Sequence, residues 1–116
     1  MMLLGVDFLN SHGIIHRDLK PENIFINEMA DGKKILSIGD FGISKYDLDT
    51  MKQTQSENGF NTTPLYKAPE VIYMQEATHK VDIWALGVTL YQLLSGKHPF
   101  KKRDFVQTLI CIKEYQ

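Results

Sequence analysis

His16-Arg17-Asp18-Leu19-Lys20-Pro21-Glu22-Asn23 places four charged side chains and an amide within eight residues. Residues 14 to 23 follow neither a helical nor an alternating period, and Pro21 excludes a regular helix. The stretch therefore reads as a loop dense in chemistry. Upstream, Met1 to Ser11 carries Leu4, Phe8 and Leu9 at roughly helical spacing, with Gly13 as a stop signal. It has no capping residue at its start and reads as the tail of a helix. Downstream, Ile24-Phe25-Ile26 and Ile35-Leu36-Ser37-Ile38 are β-rich runs, and the connection between them contains Asp31-Gly32. They predict a hairpin. Asp40-Phe41-Gly42 follows directly.

Farther out, residues 47 to 63 are polar and rich in hydroxyls, which predicts a long, functional loop. Residues 68 to 74 suggest a short helix. Thr78 to Ser95 is the strongest helical segment, ended by Gly96 with Pro99 beyond. Its apolar residues lie all around the axis, so it is expected to be buried on every side. Residues 103 to 114 suggest a terminal helix. The fold class expected is α+β, mostly helical.

Composition narrows the function classes. The 116 residues carry 13 Lys plus Arg against 14 Asp plus Glu, for a net charge of −1. That balance argues against a nucleic-acid or anionic-membrane binder. At 43% hydrophobic and 23% charged the chain is globular rather than disordered. No apolar run is long enough to span a bilayer. The single Cys111 and the lack of a secretory pattern point to a reducing compartment, cytoplasmic with a nuclear setting also compatible. The length permits one domain.

Three strings in order carry the decisive pattern: the His16–Asn23 octapeptide, Asp40-Phe41-Gly42 and Ala68-Pro69-Glu70. Together they resemble the catalytic loop, magnesium loop and activation-segment end of eukaryotic-type serine/threonine protein kinases. The resemblance implies transfer of the ATP γ-phosphate to a protein Ser or Thr hydroxyl. Phosphoryl transfer needs positioning and charge neutralisation more than covalent help. By resemblance, Asp18 takes the hydroxyl proton, Lys20 faces the transferring phosphate, and Asn23 and Asp40 hold Mg²⁺. Thr63 ties the substrate strip to Asp18 and Lys20, although Thr62 stands where the family usually has Gly. Lys20, Glu22, Asn23, Phe25 and Asp40 surround ATP and Mg²⁺, with Phe25 under the adenine. Taken alone, Phe25 is equally compatible with a plain core strand residue. Glu22 also matches an acid that meets substrate arginine, while Gln92 replaces a second such acid. His16 and Phe41 match two buried rings of a stacked spine. Asp82 matches a carboxylate that accepts from the catalytic-loop backbone; on its own it reads as a helix-dipole contact.

Lysine at position 20 resembles serine/threonine rather than tyrosine kinases, and Asp-Phe-Gly-Ile-Ser-Lys leans toward the calcium/calmodulin-dependent group. Arg17 wants an anionic partner. Thr50, Thr54, Ser56 or Thr62, phosphorylated by an upstream kinase, or Glu57 would supply it.

The resemblance covers under half of a kinase domain. Residues 1–116 are expected to run from the end of the helix before the catalytic loop to the helix after the Asp-Ile-Trp helix. The N-terminal lobe and the last C-lobe helices are expected to be absent. A glycine-rich loop, a strand lysine and the arginine partner of Glu70 would belong to those parts. Two alternatives follow: a non-catalytic lobe acting as a decoy, or an incomplete product.

Overall fold

The computed structural model describes residues 2–42, 45–46 and 64–115. Helix α1 (Met2–Ser11) ends where Gly13 turns left-handed at φ 68°. Strand β1 (Ile14–Ile15) follows, then a 3₁₀ turn over Pro21–Asn23. Strands β2 (Ile24–Glu28) and β3 (Lys34–Ile38) form the expected antiparallel hairpin, in register from Ile24 opposite Ile38 to Glu28 opposite Lys34. Gly32 takes φ 78° in its turn, and the Asp31 carboxylate accepts from the Lys33 amide. Strand β4 (Lys45–Tyr46) pairs antiparallel with β1.

A 3₁₀ turn over Pro64–Tyr66 leads to α2 (Pro69–Ile72), α3 (Lys80–Ser95) and α4 (Phe105–Lys113). Gly96 closes α3 at φ 70°, with its amide on the Gln92 carbonyl. Asp104 caps α4, its carboxylate accepting from the Gln107 amide at 2.8 Å. No helix among the described residues is long and apolar enough to cross a membrane.

Helix α3 is the post of the molecule. Ala85 and Leu86 pack with Met2, Val6 and Leu19. Val81 packs with Ile15, Ala68 and Ala77, and Val88 with Phe100 and Ile112. Trp84 stacks on Phe100 with ring centroids 5.3 Å apart. One helix thus joins α1, the loop after it, the segment around Ala68 and α4.

Two expectations need correction. Residues 14 to 23 are not loop throughout, because β1 finds a partner strand some thirty residues away. Helix α3 is not buried on every side. Val81, Asp82, Ala85, Leu86, Val88 and Thr89 form its buried face. Tyr91 and Leu93 lie more than half exposed, and Leu94 is 87% exposed. The packing from α1, the 64–66 turn, the segment around Ala68 and α4 leaves these residues uncovered. Thr63, together with Thr50, Thr54, Ser56, Glu57 and Thr62, lies outside the described residues.

Candidate active site

The His16–Asn23 loop is anchored from below by Asp82, in the first turn of α3. Its Oδ2 accepts from the His16 amide at 2.8 Å, and its Oδ1 from the Arg17 amide at 2.9 Å. Asp82 is fully buried. Burial pushes its carboxyl pKa up, and the two amides oppose that shift. Arg17 adopts a left-handed φ of 69°, a conformation that costs a non-glycine residue about 1–2 kcal/mol. The paired amide bonds to one carboxylate hold that turn in place. The helix-dipole reading of Asp82 is therefore incomplete, since the carboxylate also grips the loop.

His16 joins this loop to the one carrying Asp40. Its Nε2 donates to the Gly39 carbonyl at 3.0 Å, and its Nδ1 accepts from the Asp18 amide at 3.3 Å; these partners fix the tautomer. Its ring lies 4.8 Å from that of Phe41. His16 is buried as expected, but Phe41 is 47% exposed. The expected second buried ring is half open because one side borders a solvent-open cavity against α1 and the hairpin.

Asp18, Lys20 and Asn23 converge. Lys20 Nζ donates to Asp18 Oδ2 at 2.8 Å. That bond leads the causes that raise the Lys20 pKa, so the ammonium stays charged. Asn23 is almost fully buried and spends its Nδ2 twice on Asp18, at 2.7 Å to the carbonyl and 3.1 Å to Oδ2. Its Oδ1 remains an acceptor. The Asn23 carbonyl accepts from the Gly39 amide at 3.0 Å, which brings Asp40 alongside. Asp40 sits at φ 59°, exposed, with Oδ1 accepting from the Gly42 amide at 3.3 Å. Among the described residues its other oxygen has no hydrogen-bond partner. An amide oxygen and a carboxylate on adjoining loops are hard donors suited to Mg²⁺, which binds through few protein oxygens plus phosphate and water. They fit that ion. Among the described residues no three His, Cys, Asp or Glu side chains form a metal-binding group.

Phe25 lies against Gly39, where a Cβ would approach its Cε2 to 2.6 Å. The ring is 49% exposed, so Phe25 is not a plain core residue. Glu22, on the 3₁₀ turn, acts on Lys20 and Tyr66 through its charge. Tyr66 donates to Gln92 Oε1 at 2.6 Å.

Two residues escaped the sequence reading. Gly39 holds His16, Asn23 and Phe25 at once; its only signal is a glycine directly before Asp-Phe-Gly. Lys67 is half-buried within electrostatic reach of Arg17 and Asp18. A lysine between Tyr66 and Ala68, amid residues expected to pack, was its only signal.

Comparison with known proteins identifies the family. The family profile for the protein kinase domain matches residues 1–114. Ribosomal protein S6 kinase alpha-1 of Rattus norvegicus is 41% identical over 111 residues, 96% of this chain and 14% of the relative. Ribosomal protein S6 kinase 2 alpha of Xenopus laevis is 40% identical over the same shares. A putative ribosomal protein S6 kinase alpha-1 of Caenorhabditis elegans is 42% identical, over 96% of this chain and 13% of its own length. The chain thus spans about one seventh of the relatives it matches. With the three strings, the loop geometry and a profile match along nearly its whole length, the chain belongs to the protein kinase domain family.

Proposed function

We propose that the protein is a serine/threonine protein kinase, transferring the γ-phosphate of ATP to a Ser or Thr hydroxyl of a protein substrate. The observation that carries this reading is the Asp18 carboxylate held between Lys20 Nζ at 2.8 Å and Asn23 Nδ2 at 3.1 Å. The fixed carboxylate accepts the proton of the incoming hydroxyl. The hydroxyl oxygen bonds to the γ-phosphorus as the bond to the departing ADP oxygen breaks. Lys20 keeps its proton and places a cation where phosphate charge is handed over. Asn23 Oδ1 and Asp40 would hold Mg²⁺, which when bound neutralises the phosphate charge. Phe25 offers a half-open apolar ring for the adenine, and Thr63 belongs to the same proposal as a link between substrate strip and loop. The lone, partly buried Cys111 suits a reducing cytoplasmic or nuclear setting.

The test is phosphate transfer from Mg-ATP to Ser- and Thr-containing peptides by the full-length protein and by Asp18→Asn. Transfer that drops about 10²–10⁴-fold in the variant supports the reading. Equal transfer by both proteins, or none by the unaltered one, overturns it.

A further inference from the structure

We infer that the segment from Lys97 to Arg103 is a docking ledge for an acidic stretch of a partner protein. This surface lies outside the catalytic loop, and its role goes beyond the kinase reading.

The sequence concentrates charge there. Between Asp82 and Glu114 stand five Lys or Arg residues and a single acid, Asp104. Four of the five, Lys97, Lys101, Lys102 and Arg103, fall within seven residues, in a chain whose net charge is −1. All four are exposed. Lys113 is engaged elsewhere, its Nζ 4.6 Å from the centre of the Tyr73 ring. The Asp104 carboxylate is engaged as the cap of α4, accepting from the Gln107 amide.

The backbone beneath these cations is fixed. Phe100 is buried and stacked on Trp84. Ser95 Oγ accepts from the Lys97 amide at 3.1 Å and donates to the Lys97 carbonyl at 2.9 Å. His98 Nδ1 accepts from the Lys101 amide at 3.1 Å. The Lys102 amide donates to Thr108 Oγ1 at 3.0 Å, and that buried hydroxyl donates to the Asp104 carbonyl at 2.9 Å. Lys97, Lys101 and Lys102 therefore each have their backbone tied to a side chain. One exposed ion pair is worth little, but several cations on a pre-set backbone act together and lose less freedom on binding.

The ledge also has a defined place. The His98 ring meets Tyr66 edge-on, and Tyr66 packs against the cluster that holds Leu19, the residue after Asp18. Two rings thus connect the ledge to the core beneath the catalytic loop.

Charge and surface choose the occupant. With a net charge of −1 the chain exerts no broad pull on a nucleic acid or an anionic bilayer. The attraction is local and suits a short run of Asp and Glu. Phe105 and Val106, 54% and 63% exposed, directly follow the cations and Asp104. They offer apolar contact that a protein segment uses and a phosphate backbone does not.

The test uses the full-length protein and two dye-labelled peptides, read by fluorescence anisotropy. One carries a run of Asp and Glu, the other Asn and Gln in their place. We expect the acidic peptide to bind about tenfold more tightly at low salt, with the advantage shrinking as salt rises. Lys101→Glu with Lys102→Glu should remove that advantage, and the milder Lys101→Gln with Lys102→Gln should reduce it severalfold. Lys101→Arg with Lys102→Arg should keep it. The backbone bonds remain in all three, so helix content by circular dichroism should not change. Lys33→Glu with Lys34→Glu, which reverses two exposed cations of the hairpin, should leave the advantage intact. Equal binding of the two peptides by the unaltered protein overturns the inference. So does an advantage that survives reversal at 101 and 102, or one that the hairpin reversal removes equally. Tighter binding of a single-stranded oligonucleotide or of phosphatidylserine vesicles, lost in the same variant, overturns it in favour of that anion. Transfer is not measured, so the outcome is independent of the kinase reading.

Discussion

Asp82 and Asp18 are two carboxylates of one site with opposite duties, and substitution separates them. Asp82 accepts two backbone amides from a fully buried position and thereby holds Arg17 left-handed. Asp82→Ala leaves both amides unsatisfied, and we expect a loss of about 3 kcal/mol in stability, read by denaturant unfolding. Asp82→Asn should recover only part of this, because its single carbonyl serves one amide while its NH₂ opposes the other. Asp18→Asn keeps an acceptor for Lys20 and Asn23 and should unfold close to the unaltered protein while losing transfer. An Asp82→Asn protein as stable as the parent would contradict the anchoring role. The contrast also shows what a linear reading reaches. The His16–Asn23 string is legible because its chemistry requires contiguous residues. The grip of Asp82 spans 65 positions to Arg17, and only the family resemblance pointed to it. Nothing in the string announced Lys67, whose neighbours Arg17 and Asp18 lie some fifty residues upstream.

Elements turn these contacts into a framework, and their ends are the informative places. The β2–β3 hairpin was legible because Asp31-Gly32 encodes its turn. The β1–β4 pair was not, since two-residue strands carry no period. The exposed side of α3 misled the reading because periodicity reports apolar residues, not the surfaces that cover them. At the end of α3, Gly96 holds φ 70° in open space. Gly96→Ala should cost about 1 kcal/mol from backbone strain alone, visible as a lower melting temperature with unchanged helix content. Between α3 and α4, His98 Nδ1 accepts from the amides of Phe100 and Lys101, each at 3.1 Å. Its ring meets Tyr66 edge-on at 5.2 Å. Burial lowers its pKa, aided by Lys101 and opposed by the Leu65 backbone. A folded-state value below the ordinary 6.5 means that the unfolded chain takes up the proton first. The His98 contribution is therefore complete above about pH 6.5 and is lost as pH falls toward the folded value. Thermal melts from pH 8 to pH 5 should show this decline, and His98→Gln should flatten it. An unchanged slope in the variant would assign the pH dependence to other groups.

At the scale of the whole molecule, the question is what the core leaves uncovered. Buried apolar residues gather on one face of α3, while Leu94 on the opposite face stands open, as does Leu93 one turn beyond the last buried residue, Thr89. Leu3, Leu4 and Phe8 of α1 and Phe105 and Val106 of α4 are each more than half exposed. An open cavity of about 280 Å³, lined by Met2, Phe8, Leu9, Ile24, Leu36 and Phe41, lies beside the contact of α1 with the hairpin. A second hollow, of about 510 Å³, lies among Glu70, Ile83, Trp84, Tyr91, Phe100 and Tyr115. Single apolar residues are ordinary on a surface, but α1, α3 and α4 each expose more than one large apolar side chain. Each square ångström covered is worth roughly 25 cal/mol, so these faces favour association over solvation. The 116-residue chain in solution should bind an apolar dye and sediment as concentration-dependent oligomers. Leu4→Lys with Leu94→Lys places charge on two of the most exposed positions, 70% and 87%. Because neither side chain belongs to the core, helix content should stay unchanged while dye binding and association fall. A monomeric parent without dye binding would show that the open faces are already satisfied by water. A double variant that loses its helices would show instead that Leu4 and Leu94 support the fold, and that the core around α3 extends farther than its buried face.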